Sequence, residues 1–348
     1  MDMLKAEWRR YRLNFNFEAR TSRAVMHFKD TYFVRVFDDV VPQRFAIGEC
    51  GLFAGLSAED DPDFERRLDA VCANPSAEAL AAADSCVRFG FESALAALDG
   101  EEVSEDFASQ GVEINGLVWM GDKRLMFKRL GAKLDEGFRC MKLKIGGIDF
   151  ADELDLLAYI RKHFPATDLE LRVDANGAFT ADNVYEKLLA LERYSIHSIE
   201  QPVKAGQPEL MADVCRRSAI PVALDEELIG NTTLAHKEQL LSDISPAYII
   251  LKPTLCGGFR AADQWISVAE KRKIGWWATS ALESNVGLAA IARWLSKYKI
   301  TMPQGLGTGE LFTNNIGTGV SRCGSRVYVS AHTDFSDVNK LFENELPH

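Results

Sequence analysis

Between Leu13 and Gly51 the apolar residues come in short β-forming runs, the clearest being Thr31-Tyr32-Phe33-Val34-Arg35-Val36-Phe37, broken by polar turns such as Asp38-Asp39. This pattern predicts a small antiparallel sheet. From Ser76 to Asp99 the chain is Ala-rich, with apolar residues at helical spacing, and Gly100 suits a helix C-terminus. Together they predict an α+β unit over residues 1–110.

After Val112 the pattern changes to short strands alternating with helical stretches, the habit of parallel α/β architecture. The expected strands are Glu113–Met120, Cys140–Ile145, Leu169–Asp174, Ser195–Glu200, Val222–Asp225, Ala247–Lys252, Gly275–Thr279 and a weak eighth at Gln304–Gly307. Stretches such as Asp152–His163, Ala181–Tyr194 and Ala261–Arg272 supply helices between them. Eight strands favour a barrel over an open sheet. No low-complexity linker marks the boundary near residue 110, which is a change of pattern only.

The 348 residues exceed what one compact core needs, in keeping with two domains or one elaborated barrel. No apolar run approaches the roughly 20 residues that span a bilayer, so a membrane partner is not expected. The start, Met1-Asp2-Met3-Leu4-Lys5, is charged and lacks the apolar segment of a secretory signal. The seven cysteines form no CxxC pair and are odd in number, which points to a reducing cytoplasm. A net charge of -11 repels a phosphate backbone, and no Lys/Arg stripe is interleaved with aromatics, so nucleic acid is not expected either. A small molecule is the expected partner, and a homo-oligomer is compatible with the sequence.

Four successive strands end in an ionisable residue that hydrophobic patterning would not place there: Asp174, Glu200, Asp225 and Lys252. Any one alone reads sooner as a polar strand end facing water. Their recurrence matters, because Asp174, Glu200 and Asp225 are spaced by about 25 residues, one strand plus one helix plus loops, and would arrive side by side at the C-terminal end of a barrel. Clustered carboxylates repel one another unless a cation neutralises them. Oxygen-only ligation suits Mg²⁺ better than Zn²⁺, since no His or Cys falls at these strand ends. Glu226 and Glu227 are neighbouring alternatives to Asp225; by alternation Glu226 should face away from it, where it could pair with a lysine.

In Met141-Lys142-Leu143-Lys144-Ile145, alternation sends both lysines to one face. An ordinary surface strand gives the same pattern. This strand, however, immediately precedes the one ending in Asp174, which sets its lysines beside the proposed cation. A lysine near a divalent cation and partly buried loses proton affinity and can act as a general base. Lys252, beyond the carboxylate strands, could present a second amine to the opposite face of a substrate.

The order Lys-x-Lys, Asp-x-Asn, Glu-Gln-Pro, Asp-Glu, Lys-Pro resembles the enolase superfamily, in particular its muconate-lactonizing subgroup. The likeness covers nearly the whole chain. It implies a modified (β/α)7β TIM-type barrel over residues 111–314 behind an α+β N-terminal capping domain, residues 1–110 completed by 315–348. Within the subgroup, Ile114-Asn115-Gly116-Leu117-Val118-Trp119, Arg139-Cys140-Met141-Lys142-Leu143-Lys144 and Thr279-Ser280-Ala281-Leu282-Glu283-Ser284-Asn285 are similar to the o-succinylbenzoate synthases of menaquinone biosynthesis.

That resemblance implies a Mg²⁺-dependent lyase, with Mn²⁺ as a substitute, acting on a small-molecule carboxylate. It makes Asp174, Glu200 and Asp225 the metal ligands, Lys144 and Lys252 the catalytic pair, and Lys142 an electrostatic support. Asn176, Ser280 and Ser284 become candidate substrate contacts. Arg20 and Ser22 join them from a capping loop, since such loops close over the pocket in this superfamily; a plain solvated loop is the alternative. Gly48-Glu49-Cys50-Gly51-Leu52-Phe53 is a candidate second lid segment. Two rivals stand beside the lyase: an N-acylamino acid racemase or dipeptide epimerase, and a barrel that binds without catalysis. Gly305-Leu306-Gly307-Thr308-Gly309-Glu310 lacks the Asp-x-Asp with which dipeptide epimerases hold an α-ammonium, which weakens the epimerase reading.

Overall fold

The computed structural model describes residues 4–20 and 25–343. Its N-terminal part is an antiparallel sheet of β1 (Leu4–Arg20), β2 (Val25–Asp38) and β3 (Phe45–Cys50), with β2 in the middle. The strand begins at Leu4 and not at Leu13. The early charged residues lie on a polar face, where Arg10 and Arg12 hold Asp30, so they do not break the ladder. Helices α1 (Phe64–Ala73), α2 (Ala77–Ala82), α3 (Ser85–Leu98) and α4 (Glu105–Gln110) follow. The single helix expected from Ser76 to Asp99 is two, because Ala83 is extended and Asp84 turns to pair with Arg67 at 2.7 Å. Tyr32, Val34, Val36 and Ala46 of the sheet bury against Phe64, Leu68, Val87 and Phe91 of the helices. Each Val, Leu or Phe side chain among them contributes about 1.5–3 kcal/mol when fully buried.

The expected strand from Glu113 to Met120 is split into β4 (Val112–Glu113) and β5 (Gly116–Val118). Between them the Asn115 N–H leaves the strand to donate to Gln304 O at 2.9 Å. There follow α5 (Lys123–Asp135), β6 (Cys140–Lys144), α6 (Phe150–His163), β7 (Glu170–Asp174), α7 (Val184–Glu192), β8 (Ser198–Glu200), α8 (Pro208–Arg217), β9 (Val222–Leu224), α9 (Leu234–Ile244), β10 (Tyr248–Leu251), α10 (Pro253–Cys256), α11 (Gly258–Lys271), β11 (Gly275–Ala278) and α12 (Asn285–Trp294). β5 to β11 form one parallel sheet in sequence order. Gln304 and Gly305 close it, bridging Ile114 on one side and Thr279 on the other. The weak eighth strand is thus a two-residue closure.

Alternation sorts the barrel side chains. Leu143, Val173, Ile199, Leu224, Ile249 and Leu251 belong to the core that the surrounding helices cover with Leu157, Ile160, Leu188, Val214 and Trp265. The inside is polar toward the C-terminal end and plugged lower down, where Trp277, Ile250 and Ala223 pack together and the Arg172 guanidinium lies 4.3 Å from the Trp277 ring centroid.

The chain ends with a hairpin of β12 (Val320–Cys323) and β13 (Arg326–Val329), which pairs with β4, and with α13 (Ser336–Glu343). Val338 and Phe342 of α13 pack on Phe33 and Ile47 of the N-terminal sheet. Among the described residues no helix is long and apolar enough to cross a membrane.

Candidate active site

The register of β6, β7 and β8 puts Lys144, Asp174 and Glu200 side by side at one level, with Lys142 beside Arg172 one layer lower. β9 and β10 continue the ring, and the residues just past their ends are Asp225 and Lys252. All the strand-end residues singled out from the sequence therefore meet at the C-terminal mouth of the barrel, where loops build pockets.

Three ammonium groups thread among three buried carboxylates. Lys142 Nζ donates to Glu200 Oε2 at 2.8 Å and lies 3.1 Å from Asp174 Oδ2. Lys144 Nζ donates to Asp174 Oδ2 at 2.5 Å and to Asn176 Oδ1 at 2.7 Å. Lys252 Nζ donates to Asp225 Oδ2. The lysines of β6 point inward together, as alternation requires, while Leu143 and Ile145 join the outer core.

Burial penalises every charge here, and the neighbours decide which survive. Burial alone would lower Lys142, but Glu200 and Asp174 outweigh it and hold the ammonium well above the ordinary lysine range. Lys252 is raised in the same way by Asp225 against its own burial. Burial opposes ionisation of Asp174, yet Lys144 and Lys142 keep its carboxyl far below the usual range. Glu200 goes the other way: burial and the adjacent Asp174 charge push it well above the usual carboxylate range. Two buried neighbouring acids, one driven up and the other down, compete for the same positive charges.

The donor set fits a hard divalent cation. Glu200 Oε1 and Asp225 Oδ1 are buried without a hydrogen-bond partner, and a buried carboxylate oxygen left so is costly. Both are the oxygens not taken by lysine. Among the described residues no three acid, His or Cys side chains already converge as a finished metal cage. Lys142, Lys144 and Lys252 hold the other carboxylate oxygens.

Local backbone positions these groups. Asn176 N donates to Asp174 Oδ1 at 3.0 Å, and Asn176 itself is left-handed at φ 44°, a conformation asparagine tolerates. Its amide donates to Glu226 Oε1 at 3.1 Å. Glu226 therefore turns into the site and adds to the field that raises Lys252. The expectation that it faces away is corrected: the strand stops at Leu224 and a 3₁₀ turn over Glu226–Leu228 replaces alternation. Gln201 adds a support that its place in the sequence does not announce. Its Oε1 accepts from Asp225 N at 3.1 Å and its Nε2 donates to Glu227 Oε2 at 3.0 Å, fixing the turn that carries Asp225.

Above the charges lies a pocket of about 90 Å³ lined by Lys142, Lys144, Lys252, Asn176 and Ser280 together with Leu117, Trp119, Leu282 and Thr308. Phe53 and Leu56 of the capping domain also line it, at the end of the proposed second lid segment and just beyond it. Ser280 Oγ hydrogen-bonds Thr308 Oγ1 at 2.6 Å and stays at the wall. Ser284 does not reach the pocket. It is fully buried, its hydroxyl donates to Glu49 Oε2 at 2.5 Å, and it accepts from Val286 N at 3.1 Å as the N-cap of α12. A helix-capping hydroxyl is spent on the backbone, so Ser284 is corrected from substrate contact to cap. Ser22 and the side chain of Arg20 lie outside the described residues. The Gly257-Gly258 pair is a tight turn, with φ of 105° and 86°.

Residues 126–310 match the enolase C-terminal domain-like family. The chain is 41% identical to an o-succinylbenzoate synthase of Desulfotalea psychrophila, over 95% of this chain and 100% of that protein. It is 27% identical to an N-succinylamino acid racemase of Amycolatopsis, over 53% of this chain and 48% of that one. The crystal structure of MenC from Desulfotalea psychrophila superposes with a TM-score of 0.78 at 38% identity, covering 94% of this chain and 100% of that chain. The muconate lactonizing enzyme of Pseudomonas putida shares the fold at a TM-score of 0.81 and 18% identity, covering 98% and 99%. The strand-borne lysines and carboxylates, the capped barrel and these likenesses agree that the chain belongs to the enolase superfamily.

Proposed function

We propose that the chain is an o-succinylbenzoate synthase, removing water from a succinyl-hydroxycyclohexadiene carboxylate to give o-succinylbenzoate. The observation that carries the reading is one pocket into which Lys144 and Lys252 both reach, beside a set of buried carboxylates. The likeness to the Desulfotalea synthase over nearly the whole chain supports it.

In this reading Asp174, Glu200 and Asp225 would hold Mg²⁺, or Mn²⁺ in its place; the unpartnered Glu200 Oε1 and Asp225 Oδ1 support that choice. When bound, the ion supplies positive charge to the substrate carboxylate and to the negative charge that gathers there as the adjacent C–H bond breaks. Lys144, as the free amine, takes that proton. The C–O bond to the β-hydroxyl then breaks and the hydroxyl leaves as water, carrying the proton back from the Lys144 ammonium. A new C=C bond completes the aromatic ring, and no proton is gained or lost overall. Lys252 stays an ammonium, which its pairing with Asp225 favours, and stabilises charge across the substrate. Lys142 acts as a fixed counter-charge between Glu200 and Asp174. Asn176 orients Lys144, and Ser280 is placed to meet the substrate at the pocket wall. Residues 1–110 with 315–348 form the cap in this reading, and 111–314 the catalytic barrel. All seven cysteines are free thiols, which supports a cytoplasmic setting.

The test is incubation of the cyclohexadiene acid with the protein and Mg²⁺. Appearance of the aromatic product with loss of one water is expected; unchanged substrate would sink the reading. The access of Lys252 to the same pocket favours one second reading, an N-acylamino acid racemase in which both lysines act as bases. Solvent deuterium entering both enantiomers of an N-succinylamino acid as fast as the cyclohexadiene is dehydrated would favour it. A dipeptide substrate has less support, since Gly305, Gly307 and Thr308 bring no acid to the described lining for an α-ammonium.

A further inference from the structure

One buried carboxylate of the capping domain reaches into the barrel. Glu49, near the end of β3, is fully buried, and each of its oxygens accepts two hydrogen bonds. Oε1 takes Thr31 Oγ1 at 2.8 Å and Ser284 N at 2.9 Å; Oε2 takes Ser284 Oγ at 2.5 Å and Gly287 N at 2.9 Å. Apart from Thr31, these donors lie at the start of α12, where backbone N–H groups lack helical partners and the helix dipole favours a negative charge. The space is shaped for the contact: a Cβ on Gly287 would lie 3.0 Å from Glu49 Oε2 and 2.7 Å from Glu283 Cβ.

The segments joined in this way are both walls of the pocket. Shortly after Glu49 come Phe53 and Leu56; just before Ser284 come Ser280, Ala281 and Leu282, and all of them line it. The barrel side of the seam is itself tied together. Glu283 accepts from Ala281 N at 2.6 Å and from Thr254 Oγ1 at 2.5 Å; burial pushes its carboxyl above the usual range, and the Lys29 charge from β2 offsets part of that.

We propose that Glu49 is a specificity-determining positioning residue. Its clasp on the first turn of α12 holds the Ser280–Leu282 wall of the barrel in register with the Phe53–Leu56 wall of the cap. The shape of the pocket depends on it, and the lysine chemistry does not. This rests on reading that pocket as the substrate site. A second cap carboxylate provides the comparison: Glu92 of α3 accepts from Phe259 N at 2.5 Å and Arg260 N at 3.2 Å at the start of α11, attaching cap to barrel away from the pocket walls.

The experiment compares Glu49→Gln with Glu92→Gln in the full-length protein with Mg²⁺ present. The amide introduced by Glu49→Gln has only one acceptor oxygen, so it can keep the Ser284 Oγ and Gly287 N legs or the Thr31 Oγ1 and Ser284 N legs but not all four, and its NH₂ group then faces a donor. Amide hydrogen exchange should quicken by about tenfold in both 280–287 and 52–56 for Glu49→Gln and in neither segment for Glu92→Gln. KM for the cyclohexadiene acid should rise by about tenfold or more, with kcat held within about threefold. Ser284→Ala, which removes one leg of the clasp, should move both readouts the same way by less, and it carries the test if Glu49→Gln does not fold. Faster exchange confined to 284–287 with KM unchanged, or a fall in kcat at constant KM, would overturn the proposal. A wild-type protein inert toward the cyclohexadiene would overturn the synthase reading alone, and hydrogen exchange would still decide the clasp.

Discussion

Lys144 and Asp174 are register partners on adjacent strands, and their side chains meet 2.5 Å apart inside the barrel. The proposed base is thus leashed to a proposed metal ligand. A cation held by Asp174 would compete with Lys144 for the same carboxylate, which would couple metal binding to the position of the base.

Replacing Asp174 by Asn removes a ligand charge and that leash together. Calorimetry should show Mg²⁺ affinity reduced by at least about 100-fold, the upper end of the cost of outer-shell changes. Turnover should fall with it. Chelation of the wild-type protein should abolish turnover, and Mg²⁺ or Mn²⁺ should restore it. Unaltered Mg²⁺ affinity in Asp174→Asn would remove Asp174 from the ligand set.

Lys252→Gln keeps a polar side chain beside Asp225 but removes the charge. Steady-state kinetics should show kcat lowered by about 10²–10³-fold, the usual cost of losing one preorganised electrostatic stabiliser. Proton abstraction should survive in this variant, read as exchange of the substrate α-hydrogen with solvent deuterium, because Lys144 is intact. Loss of that exchange would make Lys252 a proton-transfer group.

Asp30 provides a pH handle far from the chemistry. Hydrogen bonds from Arg12, then from Arg10, pull its carboxyl down to about 2 against a modest burial penalty. A folded value below the unfolded one adds stability that is present above about 4 and lost as pH falls toward 2. Both arginines are about half exposed, so solvent screening limits the worth of the cluster to about 1 kcal/mol. Denaturant unfolding should show Asp30→Asn weaker than wild type by that amount at pH 6, with the gap closing by pH 2. A gap independent of pH would locate the effect in packing.

Gly48 of β3 faces Gly90 of α3 so closely that a Cβ at Gly48 would lie 1.8 Å from the Gly90 carbonyl oxygen. Backbone, not a flexible side chain, would have to move. Gly48→Ala should cost about 3 kcal/mol of stability, the upper range for overpacking, measured by thermal or denaturant unfolding. A loss under about 0.5 kcal/mol would mean that the strand and helix separate easily.

The barrel and its charges were largely legible because both are written in local pattern. Asp174, Glu200 and Lys252 each end or directly follow an apolar run, and their even spacing reflects one strand and helix per repeat. Lys142 and Lys144 follow from alternation alone. Glu226 was misplaced because alternation ends with the strand, and no residue type announces that β9 stops one position before Asp225. Ser284 was misassigned because a serine before a helix looks the same whether it faces substrate or caps the backbone. The capping partner that decides between them, Glu49, is 235 residues away. Gln201 stood in a legible motif, but its hold on Asp225 needs two strand ends to be seen together. The same holds for Phe53, whose approach to the pocket depends on how cap and barrel meet.

The most direct measurement is the initial rate of aromatic product formation from the cyclohexadiene acid by wild type and Lys144→Ala at saturating Mg²⁺, with metal binding verified for both by calorimetry. The account predicts rapid wild-type dehydration and a rate lower by about 10²–10⁴-fold for Lys144→Ala with metal bound. Dehydration by the metal-loaded variant at the wild-type rate would contradict it.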